Sequence, residues 1–362
     1  MTSSIVKFIY KNKIVEINNP DSNETILNYV RIKLKKTGTK EGCAEGGCGA
    51  CTVVLGELKK NNISYKAINS CIAFVPSLEG KQLILVEDLI SEDELHPVQK
   101  AMVNYHGSQC GFCTPGFVMS LFAMYKNYSS YKEDIIKDTI QGNLCRCTGY
   151  RPIIDAAKSL NKESRFDHFS RNKKITLDLL RKIKQRNIAI INDNKKYFAP
   201  TSVNKLKSIL KQEPNSKLIS GGTDVSLIVT KEKKDLNSLI YMNSINELNY
   251  IKENNSYIEV GATTPLINFD SFIKKYFPDF SQILKRYGSV QIRNICTIAG
   301  NIATASPIGD TLPLLLALDS QIVIKDKSKT QILPLNSFFI GYRKTKLKKG
   351  QFIHSIRIPL LK

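Results

Sequence analysis

The sequence predicts an α+β, multidomain fold in which a half-open sheet, a small helical unit and a larger α/β unit follow one another. Three observations carry this. Apolar residues recur at strand spacing up to about residue 85 and at helical spacing from Glu94. Eight of the nine cysteines fall within the first 147 residues. From about residue 196, short β-branched runs alternate with helical patterns and Gly-rich turns. A chain of 362 residues has room for two or three domains with cores of their own.

Taken in order, residues 5–10 and 14–17 alternate apolar and polar around "KNK", a hairpin pattern. Asp21 with Glu24 predicts a capping box ahead of Ile26, Leu27, Val30 and Leu34, the apolar face of a helix. A cysteine loop follows, then "CTVVL" and "KQLILVEDL" as strands, completing a domain over 1–85. Pro97 suits a first helical turn. Thr114 as N-cap and Pro115 at the first helical position start a helix whose face is Phe117, Val118, Leu121, Phe122 and Tyr125. One further helix precedes "GNLCRCTGYRP" and another follows Pro152, giving a helical domain over 86–160. Residues 161–195 are polar and basic and predict a linker, helical at "LDLLRKIKQ". Residues 196–362 form the α/β domain: "KLKSIL" as helix, "KLIS" as strand, "GGTD" as turn, and "YIEVGA", "QIVIK" and "IHSIRIPL" as strands. No repeat or low-complexity tract interrupts them.

No apolar run approaches the ~20 residues of a bilayer span. The start, "MTSSIVKFIYKNK", lacks a charged-then-apolar export pattern. A soluble, cytoplasmic protein with no membrane contact is expected. The formal net charge is +21, spread over "KLKK", "KNKK" and "KEKK" without interleaved aromatics. This reads as a Lys-rich solvated surface, so no nucleic acid is expected; a basic nucleic-acid-binding protein is the rival reading. In a reducing compartment, clustered cysteines point to metal rather than disulfides.

Cys43, Cys48 and Cys51 stand at C-x4-C-x2-C in "EGCAEGGCGAC", with Cys71 as a fourth thiol. That spacing is the plant-type [2Fe–2S] pattern. Thiolates and sulfides carry excess negative charge, so backbone N–H groups must point at them. Gly42, Gly46, Gly47 and Gly49 permit the turns and the close approach. A four-cysteine zinc site is the alternative, but zinc favours two short knuckles. "QCGFCTPG" and "LCRCTGYRP" supply Cys110, Cys113, Cys145 and Cys147. Each short pair is expected to hold one iron of a second binuclear site, with zinc as the rival. The helix start after Cys113 favours the anionic cluster.

Together, "EGCAEGGCGAC", "QCGFCTPG" and "NLCRCTGYRPI" resemble the iron–sulfur part of the molybdenum hydroxylases, the xanthine dehydrogenase and aldehyde oxidase group, over residues 1–160. The resemblance implies a β-grasp [2Fe–2S] ferredoxin domain followed by a four-helix-type [2Fe–2S] domain. It also implies that the 43/48/51/71 cluster lies nearer the flavin and the 110/113/145/147 cluster faces the molybdenum cofactor. Gln109 becomes a candidate contact to the pterin across an interface.

"KLISGGTDV" is strand, Gly turn, then helix-like residues, a pattern that sets amides against a phosphate. "CTIAGNIATASPIGDTLPLLLAL", 296–318, alternates small residues and hydroxyls, as a backbone lying flat against a ligand requires. Both segments resemble the FAD-binding domain of the same group, of the vanillyl-alcohol-oxidase kind. By that resemblance Leu218, Ile219, Ser220, Gly221, Gly222, Thr223, Asp224 and Val225 embrace the pyrophosphate. Thr297, Gly300, Asn301, Thr304 and Asp310 line the other side, and Tyr287 lies near the flavin. No G-x-G-x-x-G follows a strand, so a Rossmann NAD site is not supported. Cys296 reads as a small buried hydrophobe. The histidines show no metal spacing, and His96-Pro97 reads as a helix start.

The reading is therefore an electron-transfer subunit of a xanthine dehydrogenase-like oxidoreductase, with two [2Fe–2S] clusters and FAD and no hydroxylation acid or base of its own. The resemblance implies a molybdopterin-binding large subunit as hetero-oligomeric partner, and NAD or oxygen as acceptor. Alternatives are the small subunit of an aldehyde or other N-heterocycle dehydrogenase, or a truncated non-catalytic remnant. The family's flavoprotein region runs past the "SIRIPL" strand into a further α+β domain, whereas this sequence stops at Lys362. That piece is expected on a separate chain, or FAD is bound weakly.

Overall fold

Strand alternation builds the first sheet of the computed structural model, which describes residues 2–162, 166–192 and 194–360. Strands β1 (Ile5–Tyr10) and β2 (Lys13–Asn18) turn over Lys11 and Asn12, both at positive φ, as a two-residue hairpin loop requires. Strands β3 (Thr52–Lys59) and β4 (Asn62–Asn69) form a second hairpin, and β5 (Gln82–Ile84) lies between the two. The order is β2-β1-β5-β3-β4, with β1 and β5 parallel and the other pairs antiparallel. Helix α1 (Ile26–Asn28) crosses this sheet and continues as a wider π-helical turn, Tyr29–Lys33. This is the β-grasp arrangement.

Two local expectations are corrected here. The cap of α1 is not the Asp21/Glu24 box: Thr25 Oγ1 accepts the Asn28 amide at 3.1 Å, and Asp21 Oδ1 instead accepts the Asn23 amide at 2.8 Å. Nor is the sheet half-open. Successive strand side chains point to opposite faces. Val53 and Leu55 join Phe8, Ile26 and Val30 under α1, while Val54 and Ile9 face the helical unit. Burial of both faces explains the unbroken apolar run "TVVL".

The helical unit comprises α2 (Pro97–Asn104), α3 (Thr114–Asn127), α4 (Glu133–Ile140) and α5 (Arg151–Ser159). Cys113, not Thr114, is the N-cap of α3, and Thr114 and Pro115 are its first two positions. Phe117, Leu121 and Phe122 of α3 are fully buried against the first sheet.

The stretch expected as a linker is largely structured, although residues 163–165 and 193 lie outside the described residues. It holds α6 (His168–Arg171), α7 (Lys173–Lys182) and strand β6 (Ile188–Asn192). Leu177 and Leu180 of α7 enter the same core as α3. Asp167 caps α6 by accepting the Ser170 amide at 2.7 Å. The same buried carboxylate meets His96 Nε2 at 3.0 Å and Lys126 Nζ at 2.9 Å. His96 Nδ1 accepts the Val98 amide at the start of α2, so its other nitrogen carries the proton given to Asp167. One ionic knot thus docks a segment whose composition is polar.

The α/β half has two lobes. In the first, β6 joins β7 (Lys195–Ala199), β9 (Ser238–Tyr241) and β8 (Lys217–Ile219) in the order β6-β7-β9-β8, with β7, β9 and β8 parallel. Helices α8 (Val203–Gln212) and α9 (Leu227–Thr230) belong to it. In the second, β10 (Ile251–Glu253), β11 (Tyr257–Gly261), β12 (Gln321–Lys325), β13 (Thr330–Pro334) and the last long strand (Phe352–Pro359) form an antiparallel sheet. Between β11 and β12 run α10 (Leu266–Ile273), α11 (Pro278–Leu284), α12 (Val290–Arg293), α13 (Ile298–Thr304) and α14 (Leu312–Ala317). The segment expected to lie flat is therefore two short helices, α13 and α14. Among the described residues no helix is long and apolar enough to cross a membrane.

Candidate functional site

The first thiol loop, residues 41–51, is wrapped by its own amides. Gly47 and Cys48 N–H each donate to Cys43 Sγ at 3.3 Å. Burial raises the Cys43 thiol, but these bonds and one from the Glu45 amide bring it below its ordinary value. The Ala50 amide serves Cys48, and the Gly46 amide serves Cys71. Cys51 and Cys71 sulfurs lie 3.3 Å apart, and their shared hydrogen bond pulls Cys51 down to about 7 against its burial. Cys71 is driven up by the same bond and by burial. Gly46 and Gly49 take positive φ, and a Cβ on Gly42 would stand 2.8 Å from Cys48 Sγ. Gly47 needs neither freedom; its role is its amide.

The second set lies at the surface. Cys110 and Cys147 are exposed, while Cys113 and Cys145 are half-buried against the helical core. The Cys110 and Cys147 thiols shift one another, and so do those of Cys113 and Cys145. Cys113 caps α3 and turns inward, whereas Gly111 at φ +85° carries Cys110 outward, so neighbours in sequence part in space. Thr148 holds Cys145 through its amide at 3.5 Å and its hydroxyl at 3.2 Å. Burial raises the Cys145 thiol, and these bonds bring it below its ordinary value. Cys113 is pushed up to about 12 by burial and by Cys145. Among the described residues no group of three His, Cys, Asp or Glu side chains is arranged to hold a metal ion. Gln109 and Phe112 are exposed beside Cys110.

The proposed flavin residues gather around the 220–225 turn. Gly221 lies so close to the strand before α13 that a Cβ would stand 2.2 Å from the Ile295 carbonyl oxygen. Among the described residues the amides of Gly221 to Val225 have no acceptor, which leaves a row of N–H groups for an anion. Leu218 and Ile219 pack their side chains into the lobe's cores and offer backbone only. Asn301 Nδ2 donates to the Tyr287 hydroxyl at 3.2 Å, and Thr311 Oγ1 donates to Asn301 Oδ1 at 2.6 Å. Burial raises the Tyr287 phenol, and Asp310 and Asp224 nearby raise it further. Thr297 Oγ1 caps α13 by accepting the Gly300 amide at 3.0 Å, and Thr304 Oγ1 donates to the Gly300 carbonyl at 3.0 Å. A cavity of about 370 Å³ opens beneath the turn, lined by Ser220 to Gly222, Ile72, Tyr197 and Asn243. The Tyr197 hydroxyl and Asn243 Oδ1 are buried there without a partner. The turn and its free amides fit an anionic group such as a phosphate; the cavity beneath is lined by none of Tyr287, Thr297, Gly300, Asn301, Thr304 and Asp310.

This turn abuts the first thiol set. A Cβ on Gly222 would stand 3.1 Å from the Ile72 carbonyl oxygen, next to Cys71, and Lys231 donates to the Cys43 carbonyl at 3.2 Å. Cys296 is buried in the second lobe's core, and burial pushes its thiol up to about 12. Arg293 was not singled out from sequence, although a charged residue inside the apolar "VQIRNIC" was a signal. It is 3% exposed, donates to the carbonyls of Tyr287 and Gly288 at 3.2 and 3.1 Å, and pairs with Asp138 of α4. The aromatic and the second thiol unit are thereby braced together.

Three family models match in order: a 2Fe-2S iron-sulfur cluster binding domain over residues 9–76, a [2Fe-2S] binding domain over 85–158, and an FAD binding domain in molybdopterin dehydrogenase over 191–361. A xanthine dehydrogenase of Emericella nidulans is 32% identical over 411 residues, covering 98% of this chain and 30% of that protein. A xanthine dehydrogenase/oxidase of Rattus norvegicus is 32% identical over 409 residues, covering 99% of this chain and 31% of that protein. The chain thus spans about 30% of the length of the curated relatives it matches. Among solved structures, carbon monoxide dehydrogenase from Hydrogenophaga pseudoflava, in a form lacking the Mo-pyranopterin moiety, is 28% identical, with a TM-score of 0.45, covering 48% of this chain and 61% of that one.

Proposed function

We propose, from the premise that this chain belongs to the xanthine dehydrogenase family and spans its iron–sulfur and flavin domains, that it carries electrons from a molybdenum centre on a partner to its own flavin site. The single observation behind this reading is the spatial order of the sites. One thiol set has two members exposed at the surface, Cys110 and Cys147, beside Phe112 and Leu144; the other has none exposed, with Cys51 and Cys71 buried and Cys43 and Cys48 half-buried, beside the turn of free amides. Surface thiols suit an incoming electron from a docked partner, and enclosed ones suit delivery to a cofactor on the 220–225 turn. Cys43, Cys48, Cys51 and Cys71 would hold one [2Fe–2S] centre, and Cys110, Cys113, Cys145 and Cys147 the other. Leu218 to Val225, Tyr287, Thr297, Gly300, Asn301, Thr304 and Asp310 would hold FAD.

When bound, the clusters supply one-electron steps and the flavin joins them into a two-electron reduction. The chain's own residues supply the rest. Amides directed at sulfur favour thiolates, the apolar wall behind Cys51 and Cys71 excludes water, and free amides neutralise a pyrophosphate. Substrate choice would rest with the partner's pocket, for xanthine or another heterocycle or aldehyde, and the reduced flavin would pass electrons to NAD or oxygen. A reducing compartment such as the cytoplasm suits so many free thiols.

The test is anaerobic reconstitution with iron, sulfide and FAD, followed by stepwise reduction. Two distinct reduced-cluster EPR signals and bleaching of bound flavin in the same chain support the reading. A chain that takes up no flavin, or shows a single signal, refutes it.

A further inference from the structure

Gln291 is fully buried on α12, in the flavin half, yet it touches nothing that would bind flavin. Its side chain enters a junction where three parts of the protein meet. Gln291 Nε2 lies 3.0 Å from Ser120 Oγ, 3.1 Å from Asn143 Oδ1 and 3.3 Å from Thr52 Oγ1. Ser120 belongs to α3, which starts after Cys113. Asn143 stands two residues before Cys145, and Thr52 follows Cys51. Asn143 Nδ2 in turn donates to the Gly49 carbonyl at 3.0 Å, and its Oδ1 accepts from Ser120 Oγ at 2.7 Å. Ser120, Asn143 and Thr52 are each 1% exposed.

Around this network the backbones touch. A Cβ on Gly49 would stand 2.1 Å from the Gly142 carbonyl oxygen, one on Gly116 would stand 2.3 Å from the Gly49 carbonyl oxygen, and one on Gly142 would stand 2.2 Å from Ser289 Cβ. At the edge of the network the Leu144 amide donates to the Cys48 carbonyl at 2.9 Å. That bond joins the residue before Cys145 directly to a cysteine of the other thiol set.

A donor amide with two hydrogens serves three acceptors, and Gln291 Oε1 is buried with no partner. For stability alone, replacing all four polar side chains of the network by apolar groups of the same shape would serve as well. The arrangement instead fixes geometry: two loops that carry thiols are held in one register by an amide from a third unit.

We propose that Gln291 is a positioning residue: inserted from the flavin half, it holds Asn143 so that the Leu144 amide stays on the Cys48 carbonyl, and so sets the separation of the two iron–sulfur centres. This rests on the reading of the two thiol sets as clusters. Removing the Gln291 donor leaves Asn143 held by Ser120, Gly49 and Thr52 alone, and the Leu144 amide then opens to water more often. Electron exchange and magnetic coupling between the centres both depend steeply on their separation, so both respond to a small shift of these loops.

The test compares the parent chain with Gln291→Leu and Asn143→Asp. Hydrogen exchange of a peptide containing Leu144 is followed in iron-free and reconstituted chains, together with the EPR splitting between the two reduced centres after dithionite reduction. The loss of one net hydrogen bond predicts roughly tenfold faster exchange at Leu144. Iron content is expected to stay at the parental level while the splitting changes. Combining the two substitutions should add nothing beyond Asn143→Asp alone, because both act through one network. Gln291→Leu with parental exchange and parental splitting overturns the proposal. If Gln291→Leu loses protection throughout the chain, Gln291→Asn, which keeps a donor amide on a shorter arm, takes its place with the same expected and contrary results. If the parent chain holds no iron, the cluster reading fails by itself, and exchange in the iron-free chain still decides whether Gln291 holds Leu144.

Discussion

Replacing Gly49 with alanine tests how the first thiol loop is held. Gly49 sits at φ +70°, and a Cβ there would come 2.1 Å from the Gly142 carbonyl oxygen and 2.6 Å from Asn143 Nδ2. Left-handed backbone costs an alanine about 1–2 kcal/mol. The clash is with backbone, so the two loops must part, and overpacking of this kind costs about 1–3 kcal/mol. The sum, about 2–5 kcal/mol, is a large share of the roughly 5–15 kcal/mol that holds a typical domain together. Gly47→Ala in the same loop is the comparison. Gly47 has no positive φ, and its nearest neighbour would be Glu45 Oε1 at 3.8 Å, so the cost should stay within about 0.5 kcal/mol. Thermal unfolding of the iron-free chains, followed by circular dichroism, reads the difference. Gly49→Ala should melt well below the parent and take up less iron, and Gly47→Ala should match the parent in both. Equal melting temperatures for the two variants would show that the Gly49 contact with Gly142 does not hold the loop.

Further outcomes follow from other sites. Burial raises the Asp167 carboxyl, but His96 and Lys126 hold it well below the usual carboxylate range, so its contribution is present above the unfolded value near 3.9 and is lost as pH falls. Asp167→Asn should cost about 3–5 kcal/mol at neutral pH, with the gap to the parent narrowing toward pH 3 in urea unfolding; a gap independent of pH contradicts this. With its thiol pushed up to about 12 by burial, Cys296 should resist iodoacetamide in the folded chain, and Cys296→Ala should keep both iron and flavin; rapid labelling of Cys296 argues against its core role. Gly221→Ala, whose Cβ would lie 2.2 Å from the Ile295 carbonyl oxygen, should lose flavin while retaining iron; full flavin occupancy would show that the turn is not the binding element.

Much of this molecule is legible locally. The C-x4-C-x2-C spacing marks a loop whose amides do face sulfur. The alternation in "IVKFIY" gives β1, and Thr-Pro after Cys113 gives the start of α3 to within one residue. What was missed depends on partners distant in sequence. The half-burial of Cys113 and Cys145 beside exposed Cys110 and Cys147 follows from which thiols the helical core takes in. The two-sided burial of Val53, Val54 and Leu55 depends on helices encoded far downstream. Asp167 looked like one polar residue among many because His96 and Lys126 are 71 and 41 residues away. Helix α13 hid behind small residues whose helical character comes from the Thr297 cap and from Ile298 and Ile302 in the core. Strand β4 was within reach, since Ile63, Tyr65 and Ala67 alternate in "NISYKAIN".

Iron and acid-labile sulfide analysis of the anaerobically reconstituted chain decides what the eight thiols hold. Eight thiols in two sets of four predict about four irons and about four sulfides per chain, as two [2Fe–2S] centres require. Zinc in their place, or about two irons with one thiol set left open to alkylation, would contradict it.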